Sequence, residues 1–191
     1  MTPDNPPAPA TADDIIIESS QGGAAPQIDS PWKPTYLFVY GSLMDLDVLQ
    51  HVLALPSPPP PLRPAKLKNY KMKMWGPYPT LITKPSSNGS RTEGEEGVDD
   101  DDDSIPGKLY LVEHPAQFTL LERYETKAYT WHRCVAELTD DDGGTSTTEQ
   151  SEFECRTFVW AGDPDSPELS DGPAFDLERY QKHFKPKFLT R

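Results

Sequence analysis

A segment of nine residues, YLFVYGSLM at Tyr36–Met44, places the strongest restriction on the fold. Its first five residues are all apolar or aromatic, so a strand over Tyr36–Tyr40 has two apolar faces. Such a strand is stable only in the centre of a sheet, with both faces covered. The strand ends at Gly41-Ser42, and a helix that starts there leaves unpaired N–H groups that favour a carboxylate or phosphate. A simple strand-to-helix turn explains the same residues, so this motif alone leaves both interpretations open.

A helix is predicted directly after this turn, over Asp45–Leu55. Apolar residues recur at helical spacing on one side of this segment, and polar residues fall on the other. Ser42 and Asp45 stand at the spacing of a capping box, and Pro56 ends the helix. The proline-rich sequence PSPPPPLRP that follows predicts a stiff surface connector.

The rest of the pattern predicts five more strands and two more helices. The strands are Leu67–Trp75, a short run in GPYPTLI, Ile105–Val112, Tyr129–Leu138 and Phe153–Trp160, and the helices begin near Pro115 and Asp176. Gly107 interrupts one strand and predicts a bulge or a point of close approach. This order has too few helices for a doubly wound sheet. We therefore expect an α+β fold, with a small, mostly antiparallel, barrel-like sheet and flanking helices.

Three segments are too polar to join this core. Residues 1–32 predict a disordered acidic, proline-rich tail, and residues 86–104 and 139–151 predict acidic loop insertions in a single domain over 33–191. The net charge of −13 resides in these three segments, because the remaining chain carries +3. A nearly neutral core is not expected to bind nucleic acid, which needs a basic surface. It is compatible with a small anionic or zwitterionic ligand.

Other kinds of site have little support in the sequence. Cys134 and Cys155 are too few for a disulfide framework, and neither they nor the scattered histidines have metal-ligand spacing, so no metal site is predicted. Cys155 lies in an apolar strand and is expected to be a small core residue. The N-terminus lacks the features of a signal peptide, and Ile15–Ile17 is far too short to span a membrane. We expect a cytoplasmic location, with a nuclear one as the alternative.

Glu125 is the acidic residue with the clearest candidate role. The segment LLERYETKAY places it at the end of a helix, just before a strand. With Leu121 and Tyr124 facing the core, Glu125 is expected near the rings of Tyr124, Tyr129 and Tyr40. Poor hydration raises the pKa of a carboxyl group, which suits a general acid/base working near neutral pH. A solvated surface carboxylate is the alternative.

Four motifs in this order, FVYGSLM, YPTLI, IPGKLYLV and LLERYETKAY, resemble the gamma-glutamylcyclotransferase superfamily. The most similar branch is the one named for plant avirulence-induced proteins, which includes gamma-glutamylamine cyclotransferases, and the resemblance spans about residues 36–160. It implies a barrel-like sheet with flanking helices and no cofactor. It also implies that Glu125 carries a proton and that backbone N–H groups of the loop Tyr40–Leu43 hold a small gamma-glutamyl substrate. The predicted substrate-binding residues are therefore Tyr40, Gly41, Ser42 and Leu43, and we add Tyr129, whose ring is expected near Glu125.

The implied reaction is cyclisation of a gamma-glutamyl amide to 5-oxoproline and a free amine. The substrate's own α-amine is the nucleophile, so no Ser, Cys or metal is needed. Two departures from the family pattern bear on specificity: Glu122 replaces an Asp, and the basic residue after Tyr129 is shifted to Arg133. Two alternatives keep the fold without this reaction. One is a binding module whose acidic segments contact a partner, and the other is an enzyme that uses the same cavity for proton transfer on another small molecule.

Overall fold

The computed structural model describes residues 31–84, 104–139, 151–172 and 175–190. The strands in these ranges are β1 Thr35–Val39, β2 Arg63–Leu67, β3 Tyr70–Trp75, β4 Tyr78–Thr83, β5 Ile105–Val112, β6 Tyr129–Leu138, β7 Glu152–Trp160 and β8 Leu169–Ser170. The helices are α1 Leu46–Val52, α2 Pro115–Glu125, α3 Leu177–His183 and α4 Lys185–Leu189, and a 3₁₀ turn covers Ser42–Met44. The predicted tail at 1–32 and the predicted insertions at 86–104 and 139–151 lie almost entirely outside the described residues.

Five strands close into a barrel in the order β1-β5-β2-β6-β7. All neighbouring pairs in the barrel are antiparallel except β1 and β7, which run parallel and complete the closure. A second, antiparallel sheet has the order β4-β3-β8. The predicted α+β fold, with a small, mostly antiparallel barrel-like sheet and flanking helices, is therefore confirmed.

Strand β1 is buried on both faces, as its sequence predicts. Leu37 and Val39 belong to a core cluster that includes the buried side chains of α1, α2 and α3. Phe38 and Tyr40 belong to a second cluster, which is built from strand residues. Because alternate residues of a strand face opposite sides, β1 separates the barrel interior from the layer beneath the helices.

The start of α1 differs from the prediction. Asp45, rather than Ser42, is the N-cap, and its side chain accepts hydrogen bonds from the N–H groups of Asp47 and Val48 at 3.0 and 3.1 Å. Ser42 lies in the 3₁₀ turn that precedes this cap. The predicted capping box is wrong because the backbone makes one extra turn between the strand and the helix.

The predicted strand Leu67–Trp75 is in fact two strands, and the predicted connector leads directly into the first of them. Strand β2 ends at Leu67 and belongs to the barrel, whereas β3 begins at Tyr70 and belongs to the second sheet. Between them Asn69 has a φ of 67° and turns the chain. Asn tolerates this left-handed conformation without a neighbouring Gly or Pro, so the only local sign of the turn is the pair of consecutive polar residues Lys68 and Asn69.

Gly107 in β5 confirms the predicted point of close approach. A Cβ atom there would lie 2.5 Å from the carbonyl oxygen of Val39 and would also overlap the ring of Phe38. We expect Gly107→Ala to lower the free energy of unfolding by about 1–3 kcal/mol, because Phe38 must shift inside a packed barrel. Urea unfolding measures this change. Gly172→Ala is the control, since its nearest contact would be 3.4 Å, and equal effects of the two substitutions would contradict the interpretation.

The carboxylate of Asp45 ties α1 to the C-terminal helices. It is 4% exposed and accepts hydrogen bonds from Gln181 Nε2 at 2.7 Å and Lys185 Nζ at 2.8 Å. Burial alone raises the pKa of a carboxyl group, but the hydrogen bonds from Lys185 and Gln181 outweigh burial and hold the pKa of Asp45 below its ordinary value of 3.8. The ionised form therefore contributes to the docking of α3 and α4.

We expect Asp45→Asn to lower the free energy of unfolding at pH 7 by about 2 kcal/mol, because Lys185 loses its buried partner while the cap is kept. Since the pKa is depressed in the folded state, this stabilisation is present above pH 3.8 and is lost as the pH falls through the folded pKa. Urea unfolding at pH 7 and pH 3 tests both statements. The control is Asp47→Asn, which removes an exposed partner of Lys185, and a difference that does not shrink at pH 3 would contradict the assignment.

Candidate active site

A pocket lies where β1 ends, beside the end of α2 and the turn between β3 and β4. Its described lining consists of residues 38–43, Trp75, Tyr78, Pro79, residues 124–126, Tyr129 and Phe158. The space beside these residues is about 590 Å³, a volume that includes space open to solvent. The structure brings together in this lining all six site residues predicted from the sequence. These are Tyr40, Gly41, Ser42, Leu43, Glu125 and Tyr129.

Glu125 is the last residue of α2 and the one acidic residue in the described lining of the pocket. The residue as a whole is partly exposed, but its carboxyl group is surrounded closely enough that desolvation raises its pKa to about 8. The cause is the one expected from the sequence, because apolar and aromatic neighbours cannot hydrate a charge. At neutral pH this carboxyl group is therefore mainly protonated.

The residue after Glu125 has a strained backbone. Thr126 has a φ of 64° and a ψ of −173°, a conformation that β-branched residues rarely adopt. Its N–H group donates to the carbonyl oxygen of Glu122 at 3.1 Å, and its hydroxyl accepts from the N–H group of Ala128 at 3.3 Å. These bonds end α2 and turn the chain into β6, which positions Glu125 at the pocket.

Two tyrosines are fixed beside Glu125 by hydrogen bonds to the backbone. The Tyr40 hydroxyl donates to the carbonyl oxygen of Phe158 at 2.9 Å, and the Tyr129 hydroxyl donates to that of Pro79 at 3.2 Å. Burial, followed by the charge of Glu125, raises the pKa of both Tyr40 and Tyr129. Both phenols are therefore neutral and rigid, and both lie within electrostatic reach of the Glu125 carboxyl group.

The turn after β1 belongs to the pocket lining and leaves two of its backbone N–H groups without a partner in the described part of the chain. Within the described residues, the N–H groups of Ser42 and Leu43 donate no hydrogen bond, since the 3₁₀ turn engages only those of Met44 and Asp45. The Ser42 hydroxyl lies 2.8 Å from the Tyr124 hydroxyl, which fixes the turn against α2. Gly41 is closely packed, because a Cβ atom there would lie 3.0 Å from Cγ of Pro79, and Pro79 would have to shift to admit it.

Both departures from the family pattern lie away from this pocket. Arg133 is exposed on β6 and does not belong to the described lining. Glu122 interacts with Arg156, a buried cation whose guanidinium lies 4.2 Å from the ring centre of Trp131. Burial raises the pKa of Glu122, and Arg156 and a hydrogen bond from Trp131 oppose this rise. These residues support the layer between α2 and the barrel.

Sequence reasoning missed part of the pocket lining. The turn between β3 and β4 contributes Trp75, Tyr78 and Pro79, and Phe158 comes from β7. The signal available in the sequence was the cluster WGPYP, in which aromatic residues flank a Gly-Pro turn. Nothing local to that cluster indicates that the turn reaches the end of β1.

Cys155 is 4% exposed, which confirms its prediction as a core residue. It faces Cys134 on the neighbouring strand, with the two thiol sulfurs 3.4 Å apart. Among the described residues, no group of three or more His, Cys, Asp and Glu side chains has the arrangement of a metal site. Within the same part of the chain, no helix has the length and apolar character needed to cross a membrane.

Comparison with known proteins identifies the family. Residues 37–181 match the family model described as gamma-glutamyl cyclotransferase, AIG2-like. The chain therefore belongs to this family, and the resemblance of its four motifs is confirmed.

Solved structures similar to this chain have low sequence identity. Two are Arabidopsis thaliana proteins determined in solution. The first is 18% identical to this chain, and the alignment covers 82% of this chain and 87% of the Arabidopsis protein, with a TM-score of 0.47. The second is 20% identical, and the alignment covers 89% of this chain and 82% of the Arabidopsis protein, also with a TM-score of 0.47. A yeast gamma-glutamyl cyclotransferase specific to glutathione is 15% identical over 74% of each chain, with a TM-score of 0.44. No curated protein sequence matches the chain at a significant level.

Proposed function

We propose that this protein is a gamma-glutamyl cyclotransferase that converts a gamma-glutamyl amide into 5-oxoproline and a free amine. The observation that carries the proposal is the desolvated carboxyl group of Glu125, which faces a pocket shared with the Gly41–Leu43 turn. Family membership supports the reaction class.

The substrate supplies its own nucleophile in this reaction. Its α-amine attacks the γ-carbonyl carbon, a new C–N bond closes a five-membered ring, and the amide C–N bond breaks. The α-ammonium group loses two protons as it becomes the ring amide, and the leaving nitrogen gains two as it becomes an ammonium ion. Glu125 carries these protons one at a time, a role that contributes about 10²–10⁴-fold to the rate.

The remaining contribution is positioning. Well-oriented intramolecular reactions reach effective molarities of about 10⁵ M or more, so holding the substrate folded accounts for much of the acceleration. We assign the substrate α-carboxylate to the N–H groups of Ser42 and Leu43, because charge-assisted hydrogen bonds to unpaired donors are strong. Tyr40 and Tyr129 form rigid walls that keep the Glu125 carboxyl group poorly hydrated.

The test compares two amides that differ only in the α-amine. Purified full-length protein is incubated with γ-glutamyl methylamide, and 5-oxoproline and methylamine are quantified; we expect equimolar release. The control is N-methylglutaramic acid, which has the same amide but no α-amine. Release of glutamate in place of 5-oxoproline, or cleavage of the control, would show ordinary hydrolysis and contradict the proposal.

A further inference from the structure

Four aromatic side chains form a continuous wall at one side of the pocket. The ring centres of Trp75 and Trp160 lie 5.2 Å apart, those of Trp75 and Tyr78 6.3 Å, and those of Tyr129 and Trp160 6.2 Å. All four residues are partly exposed. Trp75, Tyr78 and Tyr129 line the same pocket as Glu125, and Trp160, which is not in the described lining, packs against Trp75 and Tyr129. We call this set the aromatic wall.

The aromatic wall is rigid because both of its halves are held by strand pairing. Trp75 and Tyr78 are paired across the hairpin of β3 and β4, and Tyr129 and Trp160 are paired across β6 and β7. The hydrogen bond from the Tyr129 hydroxyl to Pro79 joins the two halves. A surface of this kind binds an apolar ligand with little loss of side-chain entropy.

The charged residues of the pocket lining restrict which leaving groups can bind at the aromatic wall. No Lys, Arg or His occurs in the described lining of the pocket. A leaving group that carries a carboxylate, as in a γ-glutamyl dipeptide, would lose hydration there without gaining a cation, which is costly. A second positive charge on the leaving group would find no acidic side chain in the described lining other than Glu125, whose carboxyl group is engaged in the proton transfer.

We propose that the aromatic wall binds the leaving amine, and that the substrates are γ-glutamyl conjugates of apolar amines, aromatic ones above all. This inference rests on the proposed function. The unpaired N–H groups of Ser42 and Leu43 accommodate the glutamyl end and Glu125 the reacting nitrogen. The substituent on that nitrogen then lies against the aromatic residues of the lining that are partly exposed, which are Trp75, Tyr78 and Tyr129.

The first test is a panel of four γ-glutamyl conjugates, of 2-phenylethylamine, methylamine, alanine and 1,4-diaminobutane. We expect kcat/KM for the phenylethyl conjugate to exceed that of the other three by roughly 10- to 100-fold, the effect of burying one large apolar group. Equal or higher kcat/KM for the alanine conjugate would overturn the proposal in favour of a peptide substrate. Equal or higher kcat/KM for the diaminobutane conjugate would overturn it in favour of a cationic one.

The second test removes part of the wall. Trp75→Leu is expected to lower the ratio of kcat/KM between the phenylethyl and methyl conjugates about tenfold. Trp32→Leu is the matched control, because Trp32 packs on Phe118 outside the pocket lining, and it is expected to keep the ratio. The ratio does not depend on the fraction of folded enzyme. An unchanged ratio in Trp75→Leu would overturn the assignment of the wall.

The third test separates failure of the subsite from failure of the proposed function. N-(2-phenylethyl)glutaramic acid and N-methylglutaramic acid lack the α-amine, so their binding is measured by calorimetry without turnover. We expect the phenylethyl compound to bind at least about tenfold more tightly. If no conjugate yields 5-oxoproline but the phenylethyl compound still binds more tightly, the assignment of the aromatic wall is supported and the proposed cyclotransferase reaction is contradicted. Equal affinities of the phenylethyl and methyl compounds would contradict the assignment of the aromatic wall, whether or not any conjugate is turned over.

Discussion

Glu125→Gln is expected to lower kcat/KM for γ-glutamyl amides by about 10²–10⁴-fold, because Gln keeps the shape of the side chain but cannot accept and release a proton. Initial rates of 5-oxoproline release from wild type and variant measure the change. Glu122→Gln is the matched control, since Glu122 lies one turn earlier on α2 and outside the pocket lining. We expect that control to retain wild-type kcat/KM within about threefold.

The same substitution is expected to stabilise the protein. Burial raises the pKa of Glu125 from 4.5 to about 8, so between these values the folded state holds a proton that the unfolded state has released. Stability therefore falls as the pH rises from 4.5 to about 8, and Gln removes this loss. We expect a gain of about 1–3 kcal/mol at pH 8 and almost none at pH 4.5, measured by urea unfolding. Loss of activity together with loss of stability would instead assign Glu125 a structural role.

A second large effect is expected in the pH dependence of catalysis. Below pH 8 the raised pKa keeps Glu125 mainly protonated and unable to accept a proton from the α-ammonium group. The value of kcat/KM is therefore expected to rise about tenfold per pH unit from pH 6 and to level near pH 8, because it reports the free enzyme. Initial rates at fixed, low substrate concentration measure this profile.

The control for this profile is the residual activity of Glu125→Gln, which is expected to lack the rise between pH 6 and pH 8. Unfolding midpoints across the same range exclude a change in the amount of folded protein. A flat wild-type profile over this interval would show that the carboxyl group is already ionised, and would remove Glu125 as the group that limits the rate.

The spacing of apolar residues predicts a helix or strand correctly where the buried residues of that element recur at regular intervals. Phe118, Leu121 and Tyr124 are all buried on α2, as their spacing indicates, and the two apolar faces of β1 indicate its central place. Predictions from the sequence fail where a turn contains neither Gly nor Pro, as at Asn69. They also miss β8 and α4, because a strand of two residues and a helix of five are too short to show a period.

The residues of the candidate site likewise include some that the sequence predicts and others that it does not. Gly41 and Glu125 stand out locally, because one follows a buried strand and the other follows the apolar face of a short helix. Trp75 and Tyr78 do not, since their place at the pocket depends on how the hairpin of β3 and β4 packs on the barrel. Such packing joins segments far apart in sequence, so single-sequence patterns contain no direct signal of it.

The parallel pairing of β1 with β7 has a consequence for how the pocket is assembled during folding. Tyr36 and Cys155, which are partners in this pairing, lie about 120 positions apart, so closing the barrel orders a long stretch of chain at once. Contacts between such distant segments form slowly in folding. The pocket takes residues from both of these strands and from α2 between them. A nascent or truncated chain that lacks β7 therefore has no assembled pocket. The pocket forms only when β7, the last barrel strand in chain order, has paired, rather than growing as the chain lengthens.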